Sequence, residues 1–135
     1  MEKNVHHILF DRVSHEANKD NRSVRRSLGM LATMDVFAHR ELHRQCPSVP
    51  VFGPNMASMV RVRYRPHGNP MIGMENYMRA VEEAAQHPRA HQIDKELASL
   101  VIMAVDIQRP FVREGLVLGD QPIDRLQRGT PYGTV

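Results

Sequence analysis

Two pairs of histidines stand out. His6 and His7 are adjacent in NVHHILF, and His39 and His43 are four apart in AHRELHR. Imidazole is neutral near pH 7, so it can bind a divalent ion or take a proton from water. On a helix, positions i and i+4 share a face, so His39 and His43 can reach one ion. On a strand, neighbours point to opposite sides, so His6 and His7 cannot serve one ion through one face. One of them can complete the metal site while the other meets a different partner, such as an attacking water. His87 and His91 repeat the i, i+4 spacing with Pro88 between them, and we read that pair as coincidence.

These residues need a strand and a helix to hold them, and the sequence supplies both. Val5, Ile8, Leu9 and Phe10 make residues 4–10 a short buried strand. Residues 11–27 are polar and charged and read as a long surface loop. Apolar character resumes in LGMLAT as a second short strand. Asp35 can cap a helix through VFAHRELHRQC, which Pro47 ends. PSVPVFGP is extended. NMASMVRVRYRP reads as a helix capped by Asn55, with Met56, Met59, Val60 and Tyr64 on one face, although its alternating Val and Arg also suit a strand. HGNP is a turn. MENYMRAVEEAAQ is a helix of good formers. Pro88 suits the first turn of a further helix, whose stripe is Ile93, Leu97, Leu100, Val101 and Ala104. Pro110 and Gly115 stop or kink it. The tail from Gly119 is rich in Gly, Pro, Asp and Arg and is expected to be poorly ordered.

The expected architecture is α+β and mostly helical: a ββα unit over residues 1–46, then about three helices over 54–115. We expect a single domain over 1–135, because neither half could bury a good core alone.

The order of strand with His-His, loop, strand, and helix with His-x-x-x-His resembles the HNH or ββα-metal (His-Me finger) endonucleases, most nearly the colicin-type DNases. The resemblance covers residues 4–46. It implies that His6, His39 and His43 ligate one divalent ion (Zn, Mg, Mn or Ni) and that His7 is the general base. It implies hydrolysis of DNA phosphodiester bonds by a one-metal mechanism. The family places an Asn about nine residues before the first helical ligand, to orient the base. Met30 stands there in this chain, with Asn18 and Asn21 in the loop as substitutes.

A net charge of +3 is mildly basic and permits nucleic-acid binding. Arg22, Arg25 and Arg26 in the loop, Arg40 and Arg44 on the histidine helix, and Arg61, Arg63 and Arg65 in RVRYR are the candidate phosphate contacts. Tyr64 within RVRYR could stack on a base; a solvated face is the plainer reading. Glu41 in HRELH sits about 100° around the helix from the place a zinc-protease motif requires. Cys46 reads as a small apolar residue rather than a ligand or nucleophile.

One cysteine, no secretory leader and no apolar run of membrane-spanning length point to the cytoplasm of a bacterium or a phage-infected cell. The small size suits a phage or mobile-element protein. The alternative to an enzyme is an inactive HNH-like protein whose structural zinc supports binding of a protein partner or nucleic acid. A third is a phage assembly protein with no metal. If this chain does not cover the stripe Ile93–Ala104, a homodimer or a protein partner would.

Overall fold

A computed structural model describes residues 2–9 and 31–117, with side chains up to Arg113. Phe10, Asn18, Asn21, Arg22, Arg25, Arg26, Met30 and residues 119–135 lie outside the described residues. The order is β1 (Lys3–His7), β2 (Leu31–Asp35), α1 (Val36–Gln45), α2 (Pro54–Arg63), α3 (Pro70–Ala85), α4 (Gln92–Asp106) and α5 (Arg109–Val117). The architecture is therefore α+β and mostly helical, with a two-stranded antiparallel sheet at its N-terminal end.

The strands pair with His6 opposite Ala32 and His7 opposite Leu31. Alternation puts Asn4 and His6 on one face, with Ala32 and Met34 across from them. Ala32 is fully buried, and its small side chain leaves room for the His6 ring opposite. The strand ends earlier than the apolar pattern suggests. Ile8 and Leu9 lie in a bend after His7, and the fully buried residue of β1 is His6 rather than an aliphatic one.

β2 runs directly into α1. Asp35 ends the strand and caps the helix, accepting from the backbone N–H groups of Phe37 (2.9 Å) and Ala38 (3.2 Å). Such a cap contributes about 1 kcal/mol. It also fixes where α1 begins, and hence which way His39 and His43 point.

Among the described residues four helices follow α1, against an expected total of about three. α2 is a helix, as the Met56–Val60 spacing requires, but Asn55 is not its cap. Gly53 is the N-cap and Pro54 the first residue. Asn55 instead donates from its side-chain amide to the Arg89 carbonyl. Asn69 caps α3, so that helix takes in Pro70, whose missing N–H costs nothing in a first turn. Pro88 does not enter α4; it lies in the turn before it.

The buried arc of α4 matches the expected stripe only in part: Val101 and Ala104 are buried and Leu97 is half-buried against the core, but Ile93 and Leu100 are not inside. Asp94, Ala98, Val101, Ala104 and Val105 face inward. Ile93 is 74% exposed and Leu100 47%. α4 is apolar around most of its circumference, so spacing alone cannot choose the arc. The choice is made by tertiary contacts, among them Asp94 accepting from the backbone N–H of Gly53.

Pro110 does not merely end a helix. The chain leaves α4 at Asp106, turns at Ile107 and Gln108, and re-enters a helix at Arg109 with Pro110 in its first turn. This turn brings Gln108 inside, fully buried. α5 then packs on β2 and α1. One apolar cluster runs from Ile8 and Ala32 through Leu42 and Met74 to Val112, so the helices after α1 share a core with the ββα unit. Among the described residues, no helix is long and apolar enough to cross a membrane.

Candidate metal centre

His6, His39 and His43 converge. One ring nitrogen from each lies within 4.8 Å of the other two. The ring centroids are 5.1 Å (His6–His39), 5.2 Å (His6–His43) and 4.6 Å (His39–His43) apart. Three elements build the cluster. β1 presents His6 on its inner face. α1 presents His39 and His43 from successive turns. The α4–α5 turn supplies Gln108, whose Oε1 lies 2.6 Å from His6 Nε2.

The helical pair already has the spacing of two ligands to one ion. His39 Nε2 and His43 Nε2 are 3.1 Å apart. Two nitrogens bound tetrahedrally to zinc stand about 3.3 Å apart, given Zn–N bonds of about 2.0–2.1 Å. Asn4 Nδ2 lies 3.2 Å from His39 Nδ1 and donates to it. Turning that amide over presents Oδ1 to a protonated Nδ1. That is the tautomer in which His39 Nε2 carries a lone pair. Asn4 can therefore serve both states of the ring.

Burial sets the electrostatics. His6 is held down to about 3, first by desolvation, with the Gln108 hydrogen bond opposing and His39, His43 and His7 adding repulsion. His39 is also lowered, by burial and then by His43. His6 and His39 are thus offered as neutral rings, the form that binds metal. Among the described residues the cluster consists of three imidazoles, a donor set of the kind that binds zinc.

A pH dependence follows for the metal-free protein. Above the ordinary histidine value of 6.5, His6 is neutral folded or unfolded. Below it, the unfolded chain binds a proton that the folded chain refuses until about 3. Stability therefore falls as pH falls through that window, by at most about 1.4 kcal/mol per pH unit. In EDTA, urea midpoints should decline from neutrality to mildly acid pH, and decline less in His6→Asn. Equal slopes in the two proteins would refute the buried neutral His6.

His7 follows His6 along β1 and so faces the other side of the sheet; it is half-buried. The arginines divide. Arg40 is exposed, and its guanidinium lies 5.8 Å from the Phe37 ring centroid. Arg44 is exposed but bonded to Glu41, which also accepts from Gln45. Those bonds, with Arg44 the larger cause, hold the exposed Glu41 carboxyl at about 2. Arg61 and Arg63 belong to α2 and Arg65 follows it, an element that gives nothing to the histidine cluster. Arg63 donates to the Met59 carbonyl within its own helix. Tyr64 is not an open stacking platform. It is half-buried, edge-on to Tyr77 with centroids 5.5 Å apart.

Cys46 caps the C-terminal end of α1 and is buried, and burial pushes its thiol up. It is not in the histidine cluster. Of the other histidines, His87 lies in a turn and accepts from the Arg89 N–H, while His91 is the N-cap of α4. They do not share a helix face.

Asn4 and Gln108 were not legible as site residues. Asn4 could have been found from strand alternation, two positions before His6. Gln108 had a fainter signal: it continues the buried row Val101–Ala104 by one more i+4 step, as a polar residue where an apolar one is expected. No protein-family model matches the chain, and no curated protein or solved structure does either.

Proposed function

We propose that this protein is a divalent-metal-dependent endonuclease that hydrolyses DNA phosphodiester bonds, of the HNH or ββα-metal kind. The observation that carries this reading is the convergence of His6, His39 and His43 from a β-hairpin and the helix that follows it. A bound ion would polarise the scissile phosphate and stabilise the developing charge on the leaving oxygen. His7 takes the proton from the attacking water. Its imidazole is suited to that at neutral pH, and it stands one residue from the ligand His6 without being one. Arg40 holds the phosphate backbone from the exposed side of α1, beside His43. Among Zn, Mg, Mn and Ni, an all-imidazole donor set favours zinc and nickel over the oxygen-seeking ions. The protein acts in the cytoplasm.

The test is nicking of supercoiled plasmid by the purified chain with each of the four ions, against an EDTA control. Metal-dependent nicking supports the reading. Stoichiometric zinc binding without nicking under any ion would replace it with the second reading, an inactive relative with a structural zinc. That second reading is favoured by one observation, Met30 in the place of the base-orienting Asn.

A further inference from the structure

Gln108 is a polar side chain with no exposed surface, and its whole hydrogen-bonding capacity is directed. Its Nε2 donates to two backbone carbonyls, Ile8 (2.9 Å) and Ala104 (3.1 Å). An amide nitrogen is a donor only and an amide oxygen an acceptor only. Reversing the amide would set Oε1 against two carbonyl oxygens, so the orientation is fixed. Oε1 therefore faces His6 Nε2 at 2.6 Å, and it can only accept. His6 Nε2 must carry the proton. The opposite tautomer would press two lone pairs together in a buried site, where nothing offsets the repulsion. The turn that holds Gln108 is itself tied down: the Cys46 thiol donates to the Ile107 carbonyl (3.8 Å) from the end of α1.

We infer that Gln108 is a positioning residue of the metal centre, fixing His6 as the Nε2–H tautomer so that His6 ligates through Nδ1. The inference rests on the reading of His6, His39 and His43 as metal ligands. It gives the helical part of the chain a chemical task. Among the described residues α4 and α5 add nothing to the histidine cluster, yet the turn between them decides which nitrogen of His6 meets the ion. Asn4 bonds His39 from β1, but an amide that can turn over adapts to either tautomer, whereas Gln108 enforces one.

Two measurements on the full chain test this. The first is a long-range 1H–15N spectrum of the metal-free protein in EDTA, with the His6 ring assigned by its loss in His6→Asn. We expect Nε2 protonated and Nδ1 with the shift of a ring nitrogen that bears a lone pair. The second is zinc affinity, by competition with a chromophoric chelator, for wild type and Gln108→Met. The substitution keeps the volume and removes the acceptor. We expect it to weaken zinc binding about 10–100-fold, the usual loss on removing an outer-shell partner, and to leave His6 in mixed tautomers. Wild-type zinc affinity in a folded Gln108→Met would overturn the positioning role alone, as would an Nδ1–H ring in the wild type. No zinc binding by the wild type would overturn the centre itself. If Gln108→Met does not fold, the wild-type spectrum decides.

Discussion

His7→Ala should slow plasmid nicking by about 10²–10⁴-fold, the range lost with a general base, and leave zinc affinity where it was. The separation of the two effects comes from the strand. His6 lies on the inner face of β1 among His39, His43 and Gln108, while His7 faces away, half-buried, opposite Leu31. Removing His7 takes away neither the three clustered imidazoles nor Gln108. His43→Ala should instead abolish nicking and zinc binding together, because two imidazoles cannot hold the ion as three do. Nicking rates at saturating metal, beside zinc titrations of the same preparations, separate the roles. A His7→Ala protein that cuts at the wild-type rate would place the base elsewhere. A His7→Ala protein that loses zinc would make His7 a ligand, contrary to its side of the sheet.

The second large effect is thermal. Zinc at about 1,000 times its dissociation constant stabilises a folded state that alone binds it by about 4 kcal/mol. For a domain of this size that is a rise in melting temperature of about 10–20 °C. His43→Ala should erase the rise while leaving the metal-free melting temperature nearly unchanged, because His43 is exposed. His6→Ala should do more. His6 is fully buried and bonded to Gln108, so its loss opens a cavity and strands a buried acceptor even without metal. Melting curves of the three proteins in EDTA and in zinc would show this contrast. An equal zinc shift in wild type and His43→Ala would mean that the ion binds elsewhere.

The ββα arrangement was legible because its signals are local. Asp35 caps α1 through Phe37 and Ala38, α1 ends two residues before Pro47, and i, i+4 spacing alone puts His39 beside His43. The alternation that parts His6 from His7 needs only two neighbours. What failed depended on distant chain. The inward arc of α4 is settled by contacts with other elements, and Asp94, a charged residue that a pattern would send to solvent, is buried against Gly53. The helix does stop before Pro110, but that proline also opens the next one, since a proline inside a helix and one in its first turn look alike until the preceding turn is seen. Gln108 went unnoticed because its three partners include residues about a hundred positions away. Asn55 looked like a cap, but a proline-led helix with Gly53 before it did not need one.

The bond between His6 and Gln108 spans 102 positions. A contact of such sequence separation is a late event in folding, since most of the chain must be in place before its closure entropy is offset. During synthesis the three imidazoles emerge from the ribosome well before the residue that fixes the first of them. A nascent chain that has released only its hairpin and first helix lacks both Gln108 and the helices that share its core. The histidine cluster with its Gln108 partner would be complete only when nearly the whole protein had left the exit tunnel, so that the time needed to translate α2 through α4 sets the earliest moment at which it could form.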